Sequence, residues 1–266
     1  MKKRTLSALI IFLVIIPFLL IGGKVYAVGV GLISLLAFRE LMTLKYSNEN
    51  KLSNSILAIN LVAFILLVYS NYDGNNLFLG LNYQFLGILI LLTLIPVVIF
   101  HKEKYTLNRA LRSLGLIFLV GLGFNMLITV FNYDRRIFYF LISIGVFTDL
   151  FAYISGMLIG KHKLIPELSP KKTWEGAIFG TILGTTSAIF LYINLIGTNQ
   201  MMFRFVLITV FLSIVGQLGD LFFSAVKREY KIKDFSNLIP GHGGILDRLD
   251  SVIFIMIGYL VVRMFI

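Results

Sequence analysis

The chain has 266 residues, of which 58% are hydrophobic and 14% are charged, and its formal net charge at pH 7 is +11. Because so few polar side chains cannot cover a water-soluble globule of this size, the protein is expected to be solvated by lipid. Cysteine is absent and only three histidines occur, which excludes disulfides, thiolate nucleophiles and cysteine-ligated zinc and argues against a histidine-rich metal site. The basic residues lie between apolar runs, so membrane lipids are the expected partners and nucleic acid is not.

Apolar stretches long enough to cross a hydrocarbon layer of about 30 Å, at about 20 residues each, recur along the whole chain. They predict an all-α, polytopic transmembrane bundle of about nine helices, near residues 5–22, 24–39, 52–70, 84–100, 111–132, 137–160, 174–197, 203–226 and 251–266. The second and the last stretch are short. We predict one integral membrane domain over residues 1–266, with N-terminal helices in 1–136 and catalytic helices and cytoplasmic loops in 137–266.

The first apolar stretch has two interpretations. Its basic start at residues 1–4 and the apolar run that follows also resemble a cleavable signal peptide. We favour a retained first helix, because the next hydrophobic segment follows immediately and the rest of the chain is membrane-embedded.

The distribution of Lys and Arg predicts the topology. If the N-terminus is cytoplasmic and the nine helices alternate, the cytoplasmic loops hold 19 of the 24 basic residues. The five on the other side are Lys24, Arg135, Arg136, Arg204 and Arg263. This asymmetry agrees with the positive-inside rule, and it predicts a multi-pass protein of the cell (inner) membrane with its polar loops in the cytoplasm.

Polar residues form a stripe on an otherwise apolar helix near residues 203–226. Gln217, Asp220, Ser224 and Lys227 follow one another at helical spacing. A carboxylate such as Asp220 near the membrane face is costly unless something compensates it. It would either pair with a neighbouring lysine as a lock between helices or hold a divalent cation, and we favour the cation. Lys227 and Arg228 end the helix where its dipole favours positive charge.

A glycine-rich segment follows this helix. Gly241, His242, Gly243 and Gly244 come directly after Pro240, and such glycines allow the close backbone approach that phosphate-binding loops need. The segment leads into the last helix, where Asp247, Asp250 and Ser251 share one face beside Arg248. Although the loop alone would be weak evidence, the combination indicates a metal and phosphate site.

A second polar region lies upstream. Asp149 is an intramembrane carboxylate, either a further cation ligand or a polar lock between helices. The loop 161–173 carries Lys161, Lys163, Lys171 and Lys172 and a predicted turn at Ser169-Pro170; its charge is either topological only or a collar for phosphate groups. Small residues at Gly176, Gly180 and Gly184 predict close helix packing, internal or at a homodimer contact.

Several of these residues together resemble the phosphatidate cytidylyltransferase (CDP-diacylglycerol synthase) family. The fixed positions of the family pattern are filled over 27 consecutive residues by Ser224, Lys227, Arg228, Lys233, Asp234, His242, Gly243, Gly244, Asp247, Arg248 and Asp250. A looser similarity extends upstream to Thr148-Asp149 and to residues 169–176. The first five helices carry little that is diagnostic.

The resemblance implies that a phosphatidate oxygen attacks the α-phosphorus of CTP, with pyrophosphate leaving and Mg²⁺ and cationic side chains stabilising the charge. A second cation is an open alternative. We expect Asp220 and Asp247 to be metal ligands, supported by Asp250 and Asp149. Phosphate contacts are expected from Lys227, Arg228, Arg248, Lys171 and Lys172. His242 would contact phosphate or shape the loop, and Ser224, Lys233, Asp234, Gly243 and Gly244 are expected near the substrates.

Two other classes compete with this interpretation. A transporter would use Asp149, Asp220 and Glu175 to bind ions in transit, but it predicts matching halves and no internal repeat is present. Another lipid-nucleotide enzyme, such as a CDP-alcohol phosphotransferase or a relative acting on polyprenyl lipids, is the second alternative. The phosphotransferase pattern is absent from the chain, whereas a different lipid anchor on the substrate stays open.

Overall fold

The structure of the protein, a computed structural model, describes residues 16–45, 49, 51–70, 83–100, 105–197, 202–241 and 243–263. The complete helices of this part of the chain are α1 Gly23–Thr43, α2 Asn54–Val68, α3 Tyr83–Ile99, α4 Leu107–Tyr133, α5 Arg135–Ile159, α6 Trp174–Ile196, α7 Met202–Glu229 and α8 Leu246–Arg263. Residues 16–21 are also helical. The all-α prediction with about nine helices is therefore confirmed, although residues 5–15 of the predicted first helix lie outside the described residues.

Length and composition make five of the described helices suitable for crossing a membrane. They are Gly23–Thr43, Leu107–Tyr133, Arg135–Ile159, Trp174–Asn194 and Phe203–Glu229. Two further apolar helices, Asn54–Val68 and Gly87–Ile99, are shorter. The second predicted helix is longer than expected, because α1 has 21 residues and continues past Arg39 as far as Thr43. The lengths and apolar composition of these helices are those expected of a multi-pass membrane protein.

The chain divides into two compact units. The first comprises residues 1–133 and 232–248, and the second comprises residues 134–231 and 249–266. The sequence-based division at residues 136/137 lies close to the division at 133/134. The glycine-rich segment, however, belongs with the N-terminal helices rather than with the helices that precede and follow it in sequence.

Helix α4 is the centre of the first unit. Its residues Gly121 to Phe131 are all buried, as expected for a helix that has neighbours on every side. The Phe131 ring stacks on Tyr26 of α1 with centroids 3.8 Å apart, and the Asn125 amide donates to the Val68 carbonyl at the end of α2, 3.1 Å away. Helices α1 and α2 are thus both attached to α4.

Small residues hold α5 and α6 together in the second unit. A Cβ atom on Gly180 would lie 2.6 Å from the Cβ of Ala152, and one on Gly184 would lie 2.7 Å from the Cα of Thr148. Gly176 faces Gly156 in the same way. The predicted small-residue face therefore packs internally on α5, and among the two alternatives for it the internal one is correct.

The loop between α5 and α6 forms a short antiparallel hairpin. Strand β1 is Lys163–Ile165 and strand β2 is Ser169–Thr173, with Lys163 opposite Thr173. The turn occupies residues 166–168, so the prediction of a turn at Ser169-Pro170 is wrong: both residues begin β2. Thr173 then caps α6 by accepting from the Gly176 N–H at 3.1 Å.

Candidate active site

Asp220 on α7 and Lys172 on β2 form an ion pair in the second unit, with Nζ 2.5 Å from Oδ2. The predicted polar stripe continues with Ser224, whose Oγ lies 3.5 Å from Oδ1 of Asp220. Side chains alternate along a strand, which turns Lys172 toward Asp220 and leaves Lys171 exposed. The hairpin thereby selects which of the two adjacent lysines reaches the carboxylate.

Two more carboxylates of the second unit lie near Asp220. The charge of Asp220 acts on both Asp149 and Asp250, and Asp149 also acts on Asp250. Ser251 connects the latter two, because its Oγ donates to Asp149 at 3.1 Å and its N–H donates to Asp250 at 2.8 Å. Three acidic side chains from α5, α7 and α8 therefore interact within one unit.

Two lysines offset part of this negative charge. Lys172 attracts Asp149, and the buried Lys227 attracts Asp250. Arg228, the next residue, is exposed and donates from Nε to the Leu168 carbonyl in the hairpin turn, 3.3 Å away. The end of α7 and the hairpin are thus joined beside the acidic group.

The glycine-rich segment of the first unit forms a tight turn. Ile239 and Gly243 exchange backbone hydrogen bonds of 2.9 and 3.2 Å, and Gly241 and Gly243 have φ angles of 78° and 86°. Such angles favour glycine. His242 lies outside the described residues, so its predicted role stays a prediction.

Asp247 shapes this segment from the first turn of α8. Its Oδ2 accepts hydrogen bonds from the N–H groups of Phe235 and Gly244, both at 2.9 Å, and the residue is 9% exposed. A Cβ atom on Gly243 would lie 2.9 Å from the same oxygen and 3.5 Å from the Cβ of Asp234. The predicted residues Asp234, Gly243, Gly244 and Asp247 are thus neighbours, whereas Lys233 and Arg248 are exposed.

Sequence reasoning missed Glu40, near the end of α1. The residue is 4% exposed. Its carboxylate accepts from Ser236 Oγ at 2.6 Å and from the N–H groups of Ile245 and Leu246 at 2.8 and 2.9 Å. A signal was available, because a carboxylate in the last turn of an apolar helix opposes the helix dipole and needs compensation.

The two predicted metal ligands, Asp220 and Asp247, belong to different units and have different surroundings. Mg²⁺ takes oxygen ligands, commonly one or two carboxylates completed by substrate phosphates and water. Asp149, Asp220 and Asp250 supply such oxygens. Across the described ranges no three His, Asp or Glu side chains lie in an arrangement that could by itself hold a metal ion. Oxygen donors of this kind suit Mg²⁺ only where substrate and water complete its coordination.

Comparison with known proteins shows the family of the chain. A sequence model described as the cytidylyltransferase family matches residues 2–265. Two relatives called phosphatidate cytidylyltransferase, from Staphylococcus haemolyticus and Staphylococcus saprophyticus, are each 34% identical to the chain over 257 and 256 residues. Another, from Staphylococcus aureus strain COL, is 32% identical over 265 residues.

Each of these alignments covers 96% of this chain and 96% of the relative. Matches of this extent exclude the transporter interpretation and identify a nucleotidyltransferase with apolar, membrane-suited helices. The chain belongs to the cytidylyltransferase family.

Proposed function

We propose that the protein is a phosphatidate cytidylyltransferase, which transfers CMP from CTP to phosphatidic acid and gives CDP-diacylglycerol and pyrophosphate for phospholipid biosynthesis. The observation that carries the proposal is the group of three interacting carboxylates and two lysines in the second unit. It occurs in a chain of apolar helices whose relatives bear this name. The carboxylates can hold a cation and the lysines can bind phosphate, so this group of side chains suits a reaction between two polyanions.

The reaction requires charge management rather than a covalent nucleophile. A phosphate oxygen of phosphatidic acid attacks the α-phosphorus of CTP, and the bond from that phosphorus to the bridging oxygen breaks, so that pyrophosphate leaves with the electron pair. Mg²⁺, when bound, would neutralise phosphate oxygens. We propose Asp220 as a ligand in the second unit, with Asp149 and Asp250 in support, and Asp247 of the first unit stays the further ligand that the family resemblance implies.

Lysines beside these acids provide the complementary charge. Lys172 already touches a carboxylate oxygen, so its ammonium group is within reach of a phosphate that approaches Asp220. Buried Lys227 acts on Asp250 from the end of α7. We assign phosphate contacts to both lysines and to the exposed cations Lys171, Arg228 and Arg248, with Ser224, Lys233, Asp234, His242, Gly243 and Gly244 as further substrate contacts.

An apolar groove in the second unit suits the lipid substrate. It has a volume of about 490 Å³ and lies between α6 and α7 under the hairpin. Its wall includes Ile165, Ile178 and Leu218. The one amide in the wall, on Gln217, donates to Thr181 Oγ1 at 2.8 Å and to the Ala177 carbonyl at 3.3 Å, so the surface offered to a ligand is apolar.

A basic recess adjoins the groove. It is lined by Lys161, His162, Lys163 and Glu175, and it shares Trp174 and Ile178 with the groove. Indole rings commonly lie at the level of lipid head groups. We infer that the groove takes an acyl chain of phosphatidic acid while the lysines attract its phosphate on approach.

Contacts between loops support the proposed topology. In the first unit Glu40 reaches Ser236, and Glu49 pairs with Arg112; in the second unit Arg228 reaches the hairpin turn. All of these positions fall on the side that the positive-inside rule makes cytoplasmic. We therefore propose that the active site faces the cytoplasm from the cell membrane. A homodimer stays a prediction. The glycine face does not support it, because that face packs on α5 within the chain.

Cysteines introduced into this cysteine-free chain test the topology. We expect Lys171→Cys and Asn237→Cys to react in intact cells only with a membrane-permeant thiol reagent, because both positions are exposed in loops on the proposed cytoplasmic side. Arg135→Cys, exposed between α4 and α5, is the control that an impermeant reagent should label. The reverse pattern would contradict the orientation.

The activity is tested directly with purified protein in lipid nanodiscs. Incubation with labelled CTP, phosphatidic acid and Mg²⁺ should transfer label from the CMP moiety to a lipid-soluble product, with one pyrophosphate released for each product molecule. Omission of phosphatidic acid should abolish the product. Folded protein that labels a polyprenyl phosphate instead, or labels no lipid, would contradict the proposal.

A further inference from the structure

Glu40 is a buried acidic residue that no part of the chemistry above uses. It lies in the last turn of α1, where the carbonyl ends of the helix already carry partial negative charge. Burial of a carboxylate at such a place is unfavourable without strong hydrogen bonds. The residue must therefore be compensated by other parts of the chain.

The compensation comes from a segment about 200 positions away in sequence. Ser236 Oγ and the N–H of Ile245 both donate to Oε1, and the N–H of Leu246 donates to Oε2. Ile245 and Leu246 are the residues at which α8 begins, where N–H groups have no partner within the helix. Glu40 thus satisfies the start of α8 from another helix.

The same segment is held from the inside by Asp247. This carboxylate accepts from the N–H groups of Phe235 and Gly244. The three consecutive N–H groups of residues 244, 245 and 246 therefore all donate to carboxylates. Gly244 is required here because a Cβ atom would collide with the Glu40 carboxylate. Glu40 and Asp247 together hold the glycine-rich segment in place, and this arrangement fixes the position of the Asp247 side chain.

We propose that Glu40 is a positioning residue of the nucleotidyl-transfer site: it fixes the glycine-rich segment and the first turn of α8 so that Asp247 is presented to the metal and the nucleotide. The inference rests on the proposed function for its catalytic consequence. Its structural content stands on the hydrogen bonds alone. Glu40 itself touches no substrate in this scheme.

Glu40→Gln is the decisive variant. An amide has only one acceptor oxygen, so at least one of the three donors must face an NH₂ group. In substrate-free protein we expect hydrogen exchange at residues 244–246 to accelerate at least tenfold. In the assay, the Mg²⁺ concentration for half-maximal rate should rise about tenfold, and high Mg²⁺ should restore most of the rate.

Glu49→Gln is the matched control. Glu49 is an acid of the same unit that pairs with Arg109 and Arg112 of α4, so its removal should leave both the exchange at 244–246 and the Mg²⁺ dependence unchanged. Ser236→Ala, which removes one donor, should give a smaller change in the same direction and serves if Glu40→Gln does not fold.

The outcomes separate the two claims. Glu40→Gln with wild-type exchange and wild-type Mg²⁺ dependence would overturn the positioning role. A lower melting temperature and fewer active molecules, at unchanged Mg²⁺ dependence and unchanged local exchange, would also overturn it, because that is the signature of general destabilisation. Wild-type protein that makes no CDP-lipid would instead refute the proposed function, while the exchange measurement would still test the contact.

Discussion

The two units surround their acidic side chains in opposite ways, and Glu40 and Asp247 of the first unit are buried whereas the three interacting acids of the second are half-buried or exposed. In the first unit, Glu40 and Asp247 are surrounded by backbone N–H groups. In the second unit, Asp149, Asp220 and Asp250 interact with one another and with lysine and serine side chains. Fixed backbone donors determine the shape of a segment. Clustered like charges with a flexible lysine instead favour binding of a cation or exchange of partners when a polyanion arrives.

The contrast explains why the glycine-rich segment belongs with the N-terminal helices. Its conformation depends on acids that accept N–H groups, one of which comes from α1. The acids of the second unit come from three helices that small residues bring close together, such as Gly219, where a Cβ atom would lie 2.6 Å from Phe254. One unit therefore shapes the glycine-rich segment, and the other concentrates charge.

The largest expected effect is that of removing charge from the second unit. Asp220→Asn should lower Mg²⁺-dependent CDP-lipid formation at least a thousandfold, because the acid that interacts with both other carboxylates is neutralised. Its melting temperature should stay near that of the wild type, since Asn can still bond Ser224. Asp134→Asn, which changes an acid that caps α5 and pairs with Arg136, is the control and should keep its activity.

Two substitutions of Asp247 separate the role of its charge from the role of its hydrogen bonds. One oxygen, Oδ2, accepts both N–H groups, so Asp247→Asn can keep the segment in place with its amide oxygen while Asp247→Ala cannot. Loss of activity in both variants, with faster exchange at residue 244 only in the Ala variant, would support a ligand role for the charge. Full activity of Asp247→Asn would remove Asp247 from the metal site.

A medium effect is expected from filling the groove. Leu218→Trp places an indole ring in its wall, and it should raise the KM for phosphatidic acid about tenfold at an unchanged KM for CTP. Leu207→Trp changes a residue of the same helix with nearly the same exposure, 53% against 54%, outside the groove wall. Equal KM values for the lipid in the two variants would show that the groove holds no substrate chain.

The smallest effect concerns packing. Gly180→Ala should destabilise the protein by about 1–3 kcal/mol, because the new methyl group overlaps Ala152 of α5. Gly115→Ala has nothing within 4 Å of its new Cβ and should stabilise α4 by about 0.5–1 kcal/mol through helix propensity. Thermal unfolding in one detergent compares the two; equal shifts would mean that α5 and α6 do not pack closely at Gly180.

Local patterns predicted much of this molecule because they depend on short stretches of sequence. Apolar length was sufficient to place the helices, and the spacing of Asp220 and Ser224 was sufficient to put them on one face. The hairpin at residues 163–173 was missed because its two strands are three and five residues long and carry mostly polar residues without the alternation that marks a half-buried strand. The partner of the glycine face was left open, since small residues suit internal packing and dimer contacts equally well.

The sequence by itself determined the helical class and the apolar stretches that suit a membrane, because hydropathy acts over a few turns of helix. Motif spacing, which is equally local, predicted the segment in which we propose that the chemistry lies. Only the tertiary structure decided that Lys172 rather than Lys171 meets Asp220, that three acids from α5, α7 and α8 share one unit, and that Glu40 holds the start of α8. Ser236, Ile245 and Leu246 are 196 to 206 positions from Glu40. No local pattern specifies such a pairing, because it exists only after the helices between these residues have packed.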